Sequence, residues 1–356
     1  MAGCASSPPQ PVVPEAGTFF LAGYHPYWAG DAWREYPSDH LRQLFFFELE
    51  LAPDGSPGDL HGWPHEWDPL VAHHVSRGVQ VVPTVTLHGS GAFAQLFSDP
   101  LAVDRAVEGL LDLLRDSPEI RGLHLDVEVF EPVPREARDG YTAFAAGLRA
   151  GMQAMDPGLG LSIFTLAFDD ADAYNERALA AIADFLVVQG YDLHDRTDTR
   201  AGPVAALRGW GRLNWETVVA RYDALGIHRS RLVMGVPLYG YQWPTETELP
   251  GSPTRGEGVA APLAAPVSVL PNSPRAWREA ARHGTQRDPE SGIPYYVFRD
   301  AGGGWVQGWF EDRQSLREKL EFVRAHGLAG VALFPLAYAT ADVWRDVEEF
   351  AATGRH

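Results

Sequence analysis

The chain has 356 residues, of which 45% are hydrophobic and 11% aromatic, so it is predicted to be a folded globular protein with room for one large α/β domain. Its 29 basic and 47 acidic side chains give a net charge of −18, which opposes binding to nucleic acid and to anionic membrane surfaces. The single cysteine excludes an internal disulfide framework and any cysteine-rich metal site.

That cysteine, Cys4, lies in an N-terminal segment of unusual composition. Residues 2–7, AGCASS, resemble the end of a bacterial lipoprotein signal, where small residues precede a cysteine that receives lipid. Residues 6–17 are rich in proline and serine, which favours an extended tether. We therefore expect residues 1–17 to attach the protein to a membrane of the cell envelope through lipidated Cys4, with the apolar signal segment missing from this sequence. The alternative is a ragged cytoplasmic N-terminus.

From residue 18 onward, strand patterns alternate with helix patterns. Strands are predicted at residues 18–24, 43–51, 79–87, 121–128, 159–168, 185–191, 231–238 and 330–336. Helices are predicted at residues 70–77, 100–114, 140–155, 175–183, 215–225, 315–326 and 340–352. Eight strands interleaved with helices are what a closed (β/α)₈ barrel, the TIM-barrel fold, requires.

Residues 244–308, between the seventh and eighth predicted strands, interrupt this alternation of strands and helices. This interval is rich in proline and glycine and contains one predicted helix, residues 276–283. Residues 294–298 and 304–309 are predicted to pair as a hairpin. We therefore expect a small insertion subdomain at 244–308 that walls one side of a cleft, with the barrel formed by 18–243 and 309–356. The alternative, a long disordered loop, is disfavoured by the aromatic residues of this interval.

The fourth predicted strand has the most informative pattern. Leu123, Leu125 and Val127 alternate with His124, Asp126 and Glu128, so one face is aliphatic and the other holds an imidazole and two carboxylates. An edge strand with its polar face in water is one explanation of such a pattern. In a barrel both faces are covered, and burying carboxylates is costly unless they are paired, so there the polar face indicates a chemical role.

Polar and aromatic residues recur at the carboxyl ends of the other predicted strands as well. In a (β/α)₈ barrel those ends open onto one shared mouth, where active sites lie. The residues predicted to line this mouth are Trp28, Glu48, His88, Asp126, Glu128, Tyr191, Asp192 and Tyr239.

Four segments, in order along the chain, resemble the signature motifs of family 18 glycoside hydrolases, the chitinases and their relatives. Residues 122–128, GLHLDVE, resemble the Asp-Gly-x-Asp-x-Asp-x-Glu strand, and residues 189–192, QGYD, resemble the Met-x-Tyr-Asp segment. Residues 234–243, MGVPLYGYQW, and 309–312, WFED, most resemble the spore-cortex N-acetylglucosaminidase and YaaH-like branch. The resemblance covers residues 18–350.

The resemblance implies a retaining, substrate-assisted mechanism in which the 2-acetamido carbonyl of the substrate attacks the anomeric carbon. On this basis Glu128 is expected to act as general acid and then base, Asp126 to orient the acetamido nitrogen, and Tyr191 to donate a hydrogen bond to the acetamido oxygen. The residues expected to bind substrate around them are Asp192, Gln189, Tyr239, Trp243, Phe334, Trp28, Glu48 and His124. For Trp28 and Trp243, stacking on a sugar ring and burial in the core remain equally open.

The sequence departs from the family pattern at several positions. Arg121 and His124 stand where the family has its first two aspartates, and His124 is expected to donate to Asp126 and to make activity depend on pH near about 6–7. Gln189 replaces a methionine, and Phe334 replaces a tryptophan, which removes the indole N–H. These departures point away from chitin itself as the substrate.

The sequence therefore predicts a monomeric enzyme that cleaves β-linked, N-acetylglucosamine-containing glycans, either peptidoglycan or chito-oligosaccharides. No metal or other cofactor is expected, because Gly62 and Pro64 oppose the helix that would aim His61 and His65 at one ion. The alternative function is a catalytically inactive sugar-binding protein on the same barrel.

Overall fold

The computed structural model describes residues 13–14, 18–37, 39–265 and 270–353. In chain order its strands are β1 Phe20–Pro26, β2 Gln43–Glu50, β3 Gln80–His88, β4 Gly122–Glu128, β5 Gly160–Thr165, β6 Phe185–Val188, β7 Leu232–Pro237, β8 Tyr239–Thr245, β9 Val259–Pro262, β10 Gln286–Arg287, β11 Pro294–Arg299, β12 Trp305–Trp309 and β13 Gly330–Phe334. Its α-helices are α1 Asp68–Val75, α2 Ser90–Phe97, α3 Pro100–Asp116, α4 Arg135–Met155, α5 Glu176–Ile182, α6 Trp215–Ala224, α7 Ala276–His283, α8 Arg313–Ala325 and α9 Ala341–Thr353.

Eight of these strands form a closed parallel barrel in the order β1-β13-β7-β6-β5-β4-β3-β2, which confirms the predicted (β/α)₈ fold. The other five form a sheet in the order β10-β11-β12-β8-β9. Within it β11 and β12 pair antiparallel, from Tyr295 opposite Trp309 to Arg299 opposite Trp305, so the predicted hairpin is confirmed. The boundaries of the insertion and its role as a wall stay predictions.

The predicted anchor and tether fall almost wholly outside the described residues, and Cys4 is among those not described. Among the helices that are described, none combines the length and the apolar composition that crossing a lipid bilayer requires.

The described chain divides into two compact units. The first comprises Arg42–Thr165 and Asp169–Leu186, which carry β2 to β5 and α1 to α5. The second comprises β1, the short segment Leu166–Phe168 and the chain from Val187 onward.

In the first unit, the helices bury regular apolar stripes. Asp99 caps α3 by accepting a hydrogen bond from the Leu101 N–H at 3.0 Å, and Pro100 takes the first helical position, where its missing N–H costs nothing. Burial then recurs every four residues along α3, at Ala102, Ala106, Leu110 and Leu114.

Helix α2 packs on α4 through an aromatic cluster at the helix crossing. A Cβ at Gly140 of α4 would overlap the carbonyl oxygen of Phe97, so only glycine lets the two helices approach this closely. The rings of this cluster belong to Phe93, Phe97, Tyr141, Phe144 and Tyr174. No predicted element covers α2, because Gly89 and Gly91 interrupt the helical pattern at its start.

The second unit contains a buried ion pair at the start of α8. Lys319 is fully buried, and its Nζ lies 2.9 Å from both carboxylate oxygens of Glu311. The Ser315 hydroxyl donates to the same carboxylate at 2.6 Å. Because the opposite charges contact each other directly and the carboxylate has a further donor in Ser315, the pair tolerates complete removal from water.

We expect Lys319→Met to lower the free energy of unfolding by about 3–5 kcal/mol, because it leaves the Glu311 carboxylate buried without its cation. Urea unfolding followed by circular dichroism would measure this loss. The matched control is Lys319→Met combined with Glu311→Gln, which removes both charges and should recover most of the stability. Equal destabilisation of the single and double variants would show that packing, and not the charge pair, is what Lys319 provides.

Candidate active site

The polar face of β4 contains two carboxylates at its carboxyl end. Asp126 is 4% exposed and Glu128 is partly buried, whereas Leu123 and Leu125 on the opposite face are fully buried. The predicted strand is therefore confirmed, with Asp126 and Glu128 at its carboxyl end. The parallel register with β3 places Thr86 beside Asp126 and His88 beside Glu128.

Burial controls the protonation of both carboxylates. Desolvation raises the pKa of Asp126 well above its usual range, and the negative charges of Glu128 and Glu48 raise it further. Desolvation also raises the pKa of Glu128, an effect that His88 opposes and Glu48 reinforces. Among the described residues, Oδ1 of Asp126 has no hydrogen-bond donor, although it is buried. A buried acceptor of this kind is suited to a donor supplied by a ligand.

Glu48 of β2 faces the same group. Its Oε2 lies 3.4 Å from Nε2 of His88. The β2–β3 register shifts between Phe47 and Leu49, next to Glu48, which interrupts the regular alternation of β2. Phe46, before the shift, packs on Trp63 and Trp67.

The prediction that the protonation of His124 changes at about pH 6–7 is wrong. Its Nδ1 lies 2.8 Å from the Ser162 hydroxyl, and its ring stacks on Phe45 at 4.4 Å. Complete burial lowers the pKa of His124 to about 3, so the imidazole is neutral at physiological pH. The expected change of activity near about pH 6–7 therefore cannot come from this residue.

Tyr174, which no motif singled out, holds the end of β4. Its hydroxyl accepts a hydrogen bond from the Val129 N–H at 2.7 Å and donates to the Val127 carbonyl at 2.8 Å. These two backbone groups flank Glu128, so the tyrosine fixes the peptide that carries the carboxylate. Tyr174 lies in an irregular loop, where no spacing rule signals such a contact.

The second unit brings together another group of predicted residues. The Tyr239 hydroxyl donates to Oδ1 of Asp192 at 2.7 Å, and Asp192 has a left-handed backbone conformation with φ of +53°. Tyr191 and Phe334 stack with ring centres 5.9 Å apart and planes inclined by 22°. Gln189 is buried, and its Oε1 accepts a hydrogen bond from the Ala167 N–H at 3.4 Å.

Trp243 and Trp28, for which stacking on sugar and burial in the core were both left open, differ in their exposure. Trp243 is fully buried, packs against Tyr241, and its Nε1 would lie only 2.6 Å from a Cβ at Gly258. Its prediction as a substrate-binding residue is therefore wrong, and the core alternative holds. Trp28 is 38% exposed, and its substrate-binding role stays a prediction.

Among the described residues, Glu48, Glu50 and His61 offer ligand atoms within 4.8 Å of one another. The His61 ring already contacts Glu50 at 3.3 Å and Asp59 at 3.6 Å. These contacts between His61 and the two carboxylates account for the arrangement of the cluster, and we assign no metal site to it.

Comparison with known proteins places these features in a family. YdhD of Bacillus subtilis, named as a sporulation-specific glycosylase, is 26% identical over 305 residues, which cover 82% of this chain and 65% of YdhD. The cortical fragment-lytic enzyme of B. subtilis is 24% identical over 226 residues, covering 63% of this chain and 48% of that protein. The chain thus spans less than two thirds of both relatives.

A solved structure shares the fold. The chitinase of Chromobacterium violaceum superimposes with a TM-score of 0.73 at 22% identity, covering 94% of this chain and all of that one. The model of the glycosyl hydrolases family 18 matches residues 73–339. The resemblance to the family and to its spore-cortex branch is thereby confirmed: the chain belongs to the glycosyl hydrolases family 18.

Proposed function

We propose that this protein hydrolyses β-linked, N-acetylglucosamine-containing glycans by a retaining, substrate-assisted mechanism. The observation that carries the proposal is the pair Asp126 and Glu128, two residues apart on β4, both with pKa values raised by burial. A raised pKa keeps Glu128 protonated at a pH where an ordinary glutamate is ionised, as a general acid requires.

In the first step, Glu128 gives its proton to the glycosidic oxygen while the bond from that oxygen to the anomeric carbon breaks. The acetamido carbonyl oxygen of the same sugar forms a new bond to the anomeric carbon and closes an oxazolinium ring. The acetamido N–H would donate to Oδ1 of Asp126, which has no other donor among the described residues. The positive charge that develops on the sugar favours the ionised form of Asp126, and the carboxylate in turn stabilises the cation that forms.

In the second step, the ionised Glu128 removes a proton from a water molecule as that water attacks the anomeric carbon. The oxazolinium opens, the acetamido group is restored, and Glu128 is protonated again. Because the anomeric carbon is inverted twice, the product retains its configuration.

Residues of the second unit have roles that follow from the family resemblance. Tyr191 would donate to the acetamido oxygen, and Asp192 and Tyr239, already hydrogen-bonded to each other, would bind the same sugar. The stacked Phe334 offers the sugar an apolar surface, although one smaller than the tryptophan usual in the family.

The names of the relatives support the choice of glycan. A sporulation-specific glycosylase, a cortical fragment-lytic enzyme and a chitinase all resemble this chain. We propose peptidoglycan fragments or chito-oligosaccharides as substrates, and a monomeric enzyme.

The direct test is incubation of the full chain with N-acetylglucosamine oligomers and with peptidoglycan fragments, followed by NMR of the freshly released reducing ends. β-Configured product at early times supports retention. α-Configured product would exclude the substrate-assisted mechanism. Saturable glycan binding without any product would support the sugar-binding alternative instead.

The lipid anchor is a separate proposal, which rests on the AGCASS segment around Cys4. Expression of the natural gene and mass spectrometry of the protein from a membrane fraction should show a diacylglycerol mass on a peptide beginning at Cys4. A peptide containing unmodified Cys4 would contradict it.

A further inference from the structure

His88 ends β3 and lies between two acidic strands. The β3–β4 register puts His88 directly beside Glu128. Its Nε2 lies 3.4 Å from the Glu48 carboxylate of β2, and 54% of its side chain is exposed. The imidazole is therefore accessible to water, but it is flanked on both sides by carboxylates.

The charged groups that act on the pKa of His88 are carboxylates. Glu48 and Glu50 belong to β2, and Asp126 and Glu128 belong to β4. The carboxylates of Glu48, Glu128 and Glu50 raise the pKa of His88, with the Glu48 hydrogen bond as the largest cause, against a smaller opposing effect of desolvation. A protonated His88 is thus the natural counter-charge of this acidic group.

We propose that His88 is a positioning residue whose positive charge, held by Glu48, sets the upper pH limit at which Glu128 acts as the catalytic acid. The proposal rests on the proposed function, since it assigns Glu128 that role. His88 acts through Glu128 and transfers no proton to the substrate.

The physical basis is mutual electrostatic stabilisation. A positive charge beside Glu128 favours its ionised form and so lowers its pKa, whereas the negative charge of Glu48 raises it. In the wild type these two effects oppose each other. Without His88, the Glu48 charge would act on Glu128 uncompensated, and Glu128 would keep its proton to a higher pH. Coupling is reciprocal, so the charge on Glu128 must favour protonation of His88 by the same free energy.

The first experiment is the pH dependence of kcat/KM, which reports the ionisations of the free enzyme. At the high-pH end of this profile kcat/KM declines, and we call this decline the upper limb. In His88→Gln the upper limb should shift to higher pH by about 0.5–1 unit. His88→Gln combined with Glu48→Gln should return it towards the wild-type position, because both charges are then absent. His88→Lys retains the positive charge and should keep the wild-type limb.

The matched control is His65→Gln, since His65 is exposed and lies outside the site. It should leave both kcat/KM and the upper limb unchanged. A merely structural role for His88 would lower kcat/KM in all His88 variants without moving the limb. That result, or a limb in His88→Gln that coincides with the wild type, would overturn the proposal.

The second experiment does not depend on activity. Imidazole NMR of histidine-labelled protein records the signals of the 13 histidines as pH changes, and the signal lost in His88→Gln identifies His88. The pKa of His88 should fall in Glu128→Gln and in Glu48→Gln, because each variant removes a carboxylate charge that favours the imidazolium. An unchanged pKa in Glu128→Gln would show that the two groups are uncoupled.

Together the two measurements distinguish failure of the coupling between His88 and Glu128 from failure of the proposed function. If the wild type hydrolyses no glycan but the His88 signal responds to Glu128→Gln, the proposed function fails and the coupling stands. If glycans are hydrolysed but neither the upper limb nor the His88 signal responds, the coupling fails and the proposed function stands.

Discussion

Glu128→Gln is expected to reduce kcat/KM for N-acetylglucosamine oligomers by roughly 10²–10⁴-fold, because the amide neither donates the proton that the leaving oxygen needs nor activates water afterwards. KM should change much less, since the amide has nearly the shape of the acid. With fluorogenic glycosides that have a good leaving group, the variant should lose less activity in the first step, because the departing oxygen then needs less protonation. Steady-state kinetics with both substrate types would measure the difference.

The wild-type pH profile should agree with this role. Since burial raises the pKa of Glu128, the acid form persists above the pH at which a free glutamate ionises, and activity falls as pH rises through the raised pKa. Glu108→Gln is a matched control, because it makes the same chemical change on an exposed turn of α3. If Glu128→Gln retained wild-type kinetics, Glu128 would not be the acid.

Asp126→Asn should have the second large effect, a loss of roughly 10²–10³-fold in kcat. An asparagine oxygen still accepts the acetamido N–H, but it provides no negative charge to stabilise the oxazolinium. The loss should therefore fall on kcat more than on KM. Single-turnover measurements with a chito-oligosaccharide would separate the chemical step from product release.

The stability of Asp126→Asn should change in the opposite direction. Because the folded-state pKa of Asp126 lies above its unfolded value, ionisation of the buried carboxyl destabilises the fold as pH rises. The neutral amide removes this penalty, so Tm should rise at neutral pH, and the gain should shrink towards about pH 4, where the unfolded carboxyl is also protonated. Asp104→Asn on the exposed side of α3 should change neither activity nor Tm. An Asp126→Asn protein that fails to fold would instead show that the charge is structural.

The barrel was predictable because each strand carries a local signal. The two-residue period of β4 identified both the strand and the face that bears Asp126 and Glu128. The predicted ends of the strands and helices were less accurate. Strand β6 ends at Val188, three residues before the predicted end, so Gln189–Asp192 lie in the loop beyond it. A continuous apolar run does not show where backbone pairing stops.

The errors in the site arise where distant parts of the chain decide the environment. His124 is neutral because burial, which includes its stacking on Phe45 of β2, lowers its pKa, although the hydrogen bond with Ser162 of β5 acts in the opposite direction. Neither neighbour is marked by any pattern around position 124. Trp243 has the sequence context of a residue that stacks on sugar, but it is fully buried, with Tyr241 and Gly258 among its neighbours. Sequence periodicity predicts which face a side chain takes, whereas exclusion of water depends on what packs against that face.

Lys319 is the only lysine of the chain, and it is fully buried. Reagents that acylate lysine side chains therefore find one shielded ε-amino group, while the arginine guanidinium groups are left unmodified by such reagents. Labelling of Lys319 requires the start of α8 to open, so its rate would report local unfolding of that region in otherwise native protein. The labelling rate of Lys319 would thus measure how often the start of α8 opens while the rest of the protein stays folded.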